Sequence, residues 1–564
     1  MSDNLHFRSG TDIHDTAPAG TGRADRVRQR GGHMRPLKTL ATCLALALAV
    51  PAAAQDVVFP GDNTSGTYMD YMKTVYSRAG YPEIIQLPLT SFDKAFELHG
   101  IAAESWEQSE DGLTWTFRLR DGLSYSDGHP LTAEDYVFAL TRAATDGYDF
   151  AWYWDFAGGI AGWSEVTKGE AEPDTLGIRA VDDRTLELTT TTPRPYLPSV
   201  VSLWYPVPKH VWDEHGDDYA VNVDTLVASG AYMVESWEKN DNTMTFVPNP
   251  EYTGPWPATL DRFTVNTSLG APEVGLPAFM AGEMDMAYLN RGQIPFMEQR
   301  MADNLRRNAI FAVSYISFDL DSAPFDNVDV RKALAYAVDR EEMTETVLSG
   351  LAIPAGSILS PSFPGYNEGI AAQAVFDPEK AREHLAQAGY ADGEGFPEVE
   401  IWYRDQGGYN GAITAPMLQY LQAEYKEHLG IDMGIRVMPI QDWMQALTQE
   451  ENNLFLAPYE YDYVDPSNFF GIFYDGGRHD HRLPEYDALV DQAGAASEWE
   501  ERLGYYEQAE QVLIDNASII PLVHPIQTFV FSDRVSGDAT EPTENGFSAS
   551  SRLTPYFYTH LSVE

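Results

Sequence analysis

At 564 residues the chain exceeds what one hydrophobic core usually serves, so two or three domains are expected. Hydrophobic residues make up 44%, with 31 Tyr and 12 Trp, which excludes a disordered chain and suits a folded protein with an aromatic-lined cavity. With 85 Asp+Glu against 37 Lys+Arg the formal net charge is −48, which disfavours nucleic acid and anionic membrane surfaces as partners and reads as a solvated acidic surface.

The first segments are not fold. Residues 1–33 are polar, with an Arg cluster at Arg23, Arg26, Arg28 and Arg30. Arg35 and Lys38 then precede an apolar run from Thr39 to Val50, closed by Ala52-Ala53-Ala54. That is the pattern of a signal peptide, residues 34–54, with cleavage expected before Gln55. The apolar run is much shorter than the about 20 residues of a membrane span. Residues 1–33 are accordingly expected to be an upstream extension, with Met34 as initiator, and the mature chain is expected in the periplasm. The sole cysteine, Cys43, leaves with the leader, and lipid attachment after Leu40-Ala41-Thr42 is a poor match because little apolar sequence precedes it. The mature chain is left without disulfides, thiolate metal sites or a Cys nucleophile.

Strand and helix signals alternate through the rest. Leu113 to Arg120 alternates apolar and polar residues as a half-buried strand does, and Asp121-Gly122 and Asp127-Gly128 mark turns. Thr132 and Asp135 form a capping box opening a helix with Val137, Leu140 and Ala144 on one face. Asp377-Pro378 starts a helix that Gly389 stops, and a helix from about Ala415 ends at Gly430, followed by a strand over Ile431 to Val437. Repeated helix-then-strand units predict sheets covered by helices, an α/β protein.

No HExxH, P-loop, GxSxG elbow or dinucleotide fingerprint is present. His479-Asp480-His481 is the one tight histidine group, and its spacing fits a solvated loop better than a closed metal site. Carboxylate pairs such as Glu341-Glu342 and Glu450-Glu451 sit at expected helix ends facing solvent. No catalytic residues, metal site or cofactor are assigned.

A series of ordered stretches carries a family resemblance. They include Ala103-Glu104-Ser105-Trp106-Glu107, Asp111 to Arg120, Ser126-Asp127-Gly128, Leu131 to Asp135, Gly230-Ala231-Tyr232, Asn249-Pro250-Glu251-Tyr252, Ala281 to Asp285 and Pro324 to Leu334. From about Ala103 to about Pro525 the chain resembles the family 5 extracellular solute-binding proteins of ABC importers, and is closest to their oligopeptide-binding branch. The resemblance implies a two-lobed periplasmic-binding-protein fold with a hinge and an extra inserted domain, closing on ligand. It places lobe I at 56–97, 226–306 and 528–564, the inserted domain at 98–225, and lobe II at 307–527. It implies a peptide ligand and an ABC permease as partners, no nucleic acid, and a monomer.

By the same resemblance, Asp462-Tyr463-Val464-Asp465-Pro466-Ser467-Asn468-Phe469 matches a segment whose Asp pairs with the ligand's α-ammonium, which puts that role on Asp462. Trp443 resembles a tryptophan that packs over ligand side chains, with core packing beside Met444 and Leu447 as the alternative. Tyr459 and Tyr461 precede Asp462 in a strand that pairs with extended peptide. The dipeptide branch holds the ligand carboxylate with an Arg in a segment like Asn410 to Thr414, which here contains no cation. Strict dipeptide specificity is therefore not expected, and Arg404 is the candidate substitute, with a surface place beside Asp405 as its alternative. A sugar, opine, haem or metal complex as ligand, a hydrolase and a chemosensory receptor are the alternative functions.

Overall fold

The computed structural model describes residues 57–61, 68–75, 78, 81–238, 241–404, 408–439, 442–443, 446, 454–543 and 555–564. The leader with Met34 and Cys43, and Asp405, Met444, Leu447 and Glu450-Glu451, lie outside the described residues.

A first sheet sets Val57–Pro60 parallel to Phe263–Asn266, followed by Thr243–Pro248 and Tyr232–Ser236 in antiparallel order. The end of the chain closes its core: Tyr558 stacks on Phe263 with centroids 4.8 Å apart, and Phe557 and Tyr558 both meet Phe59 edge-on. A second sheet is antiparallel throughout, Ala103–Gln108, Thr114–Leu119, Thr185–Thr189 and Ile178–Asp182. The alternation read in the sequence is realised here, with Trp115, Phe117 and Leu119 buried and Arg118 exposed between them. Gly122 and Gly128 take the positive φ that the two Asp-Gly turns need.

The helix Ala133–Thr145 covers this sheet, and the Asp135 carboxylate accepts from the Thr132 amide at 2.8 Å. Its buried stripe runs through Tyr136, Ala139, Leu140 and Ala143, leaving Val137 half-buried at the flank.

The largest sheet has eight strands. The 13-residue strand Ile519–Phe531 pairs with Met286–Tyr288, Leu305–Ala309, Ala352–Pro354 and Ala312–Phe318. The order then runs Leu454–Glu460, Val399–Arg404 and Met433–Met438. Both faces are covered, so Ala312–Phe318 is buried along its whole length. On one face Leu454, Leu456 and Ile401 pack with Ile413, Met417 and Leu421 of the helix Gly408–Leu429. On the other, Phe455, Ala457 and Tyr459 pack with Tyr506, Ala509 and Leu513 of the helix Trp499–Asp515. Each large aliphatic or Phe side chain among these contributes roughly 1.5–3 kcal/mol by burial.

The helix Pro378–Gln387 starts as expected, with the Asp377 side chain accepting from the Lys380 amide at 3.0 Å, and Gly389 follows at positive φ. The helix that ends before Gly430 begins earlier than expected, at Gly408, and carries Pro416 inside it. Among the described residues no helix is long and apolar enough to cross a membrane.

The expectation for His479-Asp480-His481 is corrected. Both imidazoles pack against the face of Phe473, His481 being only 4% exposed. Nε2 of His479 lies 2.7 Å from the Tyr315 hydroxyl, and Nε2 of His481 lies 3.1 Å from Ser317 Oγ. Hydroxyls two residues apart on Ala312–Phe318 thus draw the segment into the core, where burial pushes His481 down to about pKa 3 and His479 well below its usual range.

Candidate ligand-binding site

The strand Leu454–Glu460 lies inside the largest sheet, with Tyr459 opposite Val313. Beyond Glu460 the chain leaves the ladder, and the Tyr461 amide makes a last bond to the Phe311 carbonyl at 3.0 Å. Asp462 then turns back onto its own segment. Its amide donates to Asn468 Oδ1 at 3.0 Å, its Oδ2 accepts from the Tyr459 hydroxyl at 3.0 Å, and Asn468 Nδ2 donates to that hydroxyl at 3.1 Å and to Oδ2 at 3.4 Å. Asn468 is fully buried, so this triangle fixes the carboxylate.

Electrostatically the Asp462 group is unsettled. Burial pushes its pKa up, and the bonds from Tyr459 and Asn468 with the charge of Arg478 offset only part of that. Among the described residues no cation lies within ion-pair distance of it. The contrast is Asp465, three residues on, whose two oxygens meet Arg502 at 2.8 and 2.9 Å while Oδ1 also accepts from the Ser467 amide. Asp465 therefore performs the turn and ion-pair work next to Pro466, and Asp462 performs neither.

Residues 461–464 form a seam with residues 96–199. Tyr461 meets Phe96 and Phe311 edge-on. Tyr463 stacks on Tyr196 at 5.4 Å, meets Tyr153 edge-on, and hydrogen-bonds Ser467 at 3.0 Å. The Val464 amide donates to Ser199 Oγ at 2.9 Å. Asp462 thus stands between two residues that each press on the opposing segment.

Trp443 and Arg404 lie elsewhere on the same sheet face. Trp443 is 1% exposed and perpendicular to Phe455, and the Arg404 guanidinium sits 5.6 Å from its ring centre. Phe455 precedes Tyr459 by four residues, which at the strand rise is roughly 13 Å. The structure therefore brings together Tyr459, Tyr461 and Asp462 as one group and Trp443 with Arg404 as another. The residues missed from sequence are Asn468, Arg478, Tyr153 and Tyr196. Asn468 lay inside the quoted motif, two residues after Pro466; Arg478, whose guanidinium lies 4.8 Å from the Tyr459 ring centre, carried no local signal.

A cavity of about 550 Å³ opens on the far side of Tyr463, lined by Phe156, Arg194, Tyr196, Ser467 and Tyr506 among others. None of the five residues selected from sequence lines it.

Comparison with known proteins places this arrangement. The "Bacterial extracellular solute-binding proteins, family 5 Middle" model matches residues 97–480. The "Probable deoxycholate-binding periplasmic protein YgiS" of Escherichia coli (strain K12) is 30% identical over 439 residues, 75% of this chain and 79% of the relative. The oligopeptide-binding protein OppA of Bacillus subtilis (strain 168) is 25% identical over 462 residues, 77% of this chain and 81% of that one. Among solved structures, the unliganded open form of the periplasmic murein tripeptide binding protein MppA shares the two-lobed fold with a TM-score of 0.73, at 21% identity over 91% of this chain and 98% of that one. The family model spans well over half of the sequence and contains the Asp462 segment, so the chain belongs to the bacterial extracellular solute-binding proteins of family 5.

Proposed function

We propose that the exported chain captures peptides between its lobes and delivers them to an ABC importer in the inner membrane, acting as a monomeric receptor without turnover. One observation carries the reading: Asp462 is a half-buried carboxylate, fixed by neutral donors and lacking a cationic partner among the described residues. A peptide α-ammonium supplies that partner, and a charge-assisted hydrogen bond is about twice as strong as a neutral one. Tyr459 and Tyr461 stand at the strand end where an extended peptide pairs through its main chain, which tolerates varied side chains. Arg404, beside Trp443 and level in the sheet with Ala457, two residues before Tyr459, suits the carboxylate of a short ligand. The names of the OppA and MppA relatives point the same way.

In this reading lobe I comprises 56–97, 226–306 and 528–564, the inserted domain 98–225 and lobe II 307–527, with export by the signal peptide at 34–54. A non-peptide ligand is the second reading, favoured by the relative named for deoxycholate. A carboxylate amphiphile gains nothing from Asp462, which repels it. Native mass spectrometry of the exported protein, followed by denaturation, separates the two. Released short peptides support the first reading; release of only a sterol, sugar or metal complex overturns it.

A further inference from the structure

The turn that carries Asp127 holds a feature the peptide reading does not use. His129 lies two residues on, and His210 comes from the first turn of the helix Lys209–His215, 81 residues further along the chain. One carboxylate oxygen, Oδ2 of Asp127, lies 2.8 Å from Nε2 of His210 and 3.2 Å from Nδ1 of His129. The three ligand atoms all fall within 4.8 Å of one another. We infer that Asp127, His129 and His210 form a binding site for a divalent transition-metal ion, best matched by zinc.

The geometry fits the ion. Four-coordinate zinc holds nitrogen and oxygen ligands at 2.0–2.2 Å, which puts neighbouring ligand atoms about 3.4 Å apart. The two nitrogen-to-oxygen separations lie close to that, and the ion is admitted once the exposed His129 ring turns out of its stack on His210 to aim Nδ1 at it. Two imidazoles with one carboxylate select zinc, cobalt or nickel over calcium and magnesium, which prefer oxygen alone. The three ligands leave a fourth position to water, and the site is open: the His129 side chain is 58% exposed.

The site is also built rather than adventitious. Oδ1 of Asp127 accepts from the His129 amide at 3.0 Å, which orients the carboxylate. The adjoining cation, Lys209, is already paired with Asp213 at 2.6 Å, so it does not compete for Asp127. A net charge of −48 raises the local concentration of divalent cations. A second grouping, Asp93, Glu97 and His99, carries one imidazole only, and Oδ1 of Asp93 already accepts from the Ala95 and Glu97 amides.

The metal would tie the 124–130 turn to the helix Lys209–His215. The test titrates zinc chloride into the chelator-stripped exported protein by calorimetry, and reads cobalt(II) visible absorption as an independent signature of a four-coordinate site. Expected are one saturable zinc per chain, a rise in Tm with zinc, and at least a tenfold weakening in His129→Ala together with loss of the cobalt bands. His129→Ala removes an exposed ring and leaves the Asp127–His210 bond, so it is expected to fold, and its far-UV spectrum checks that. Absence of saturable binding, zinc affinity unchanged in His129→Ala, or equal weakening in His99→Ala each overturns the assignment.

Discussion

Replacing Asp462 by Asn probes the ligand reading most directly, because Asn keeps the shape and the bonds from Tyr459 and Asn468 while removing the charge. In the peptide complex Asp462 would be one half of a buried ion pair, and removing one partner of such a pair costs about 3–5 kcal/mol. At 1.4 kcal/mol per tenfold, that is a loss of roughly a hundred- to several-thousand-fold in affinity. Without ligand the direction reverses. Burial already pushes the Asp462 pKa up, so its charge destabilises the empty protein near neutral pH, and Asp462→Asn is expected to leave Tm unchanged or raised. Calorimetry with a tetrapeptide and its N-acetylated counterpart is the assay: the wild type should discriminate strongly between them, and the variant little. Peptide affinity should also fall as pH drops through the raised pKa, since the carboxyl must ionise to meet the ammonium. Equal binding of both peptides by the wild type, or a variant of undiminished affinity, refutes the assignment.

Three further outcomes are expected. Arg502→Met leaves the Asp465 carboxylate buried without its bidentate partner and should cost about 3–5 kcal/mol in urea unfolding, whereas the double variant with Asp465→Leu should recover part of the loss. His481 and His524, pushed down by burial to about 3 and about 4 from an unfolded value near 6.5, are protonated first in the unfolded chain. Their contribution is complete above about pH 6.5 and lost as pH falls toward 4, so His481→Gln should flatten the decline of the urea midpoint between pH 7 and 5; an unaltered slope sinks the argument. Deleting Met1 to His33 should leave export intact, as judged by the mass of the protein recovered from the periplasm.

The local features were legible because their causes are local. The Thr132–Asp135 box, the Asp377 cap, the left-handed Gly389 and Gly430 and the alternation of Trp115, Phe117 and Leu119 each depend on residues within a few positions, and the structure realises them. The alternation of helix and strand signals pointed to an α/β protein, and the resemblance added the two-lobed form and pointed to Asp462 within one continuous motif. The helix expected from about Ala415 marks the limit of such reading: it runs from Gly408 through Pro416, where packing of Ile413, Met417 and Leu421 outweighs the missing amide.

What only the tertiary structure decided is which distant groups meet. Tyr315 and Ser317 draw His479 and His481 inward, so His481 joins the core and His479 becomes half-buried beside it. The partial burial of Asp462 without a cation among the described residues follows from the seam that Tyr461, Tyr463 and Val464 make with residues 96–199, more than 260 positions earlier. Asp127, His129 and His210 gather only because the sheet and helix of residues 103–215 fold the chain back on itself. Composition and periodicity determine which stretches bury a face and where the chain turns; the electrostatic character of a site depends on solvent exclusion and on partners that sequence separation conceals.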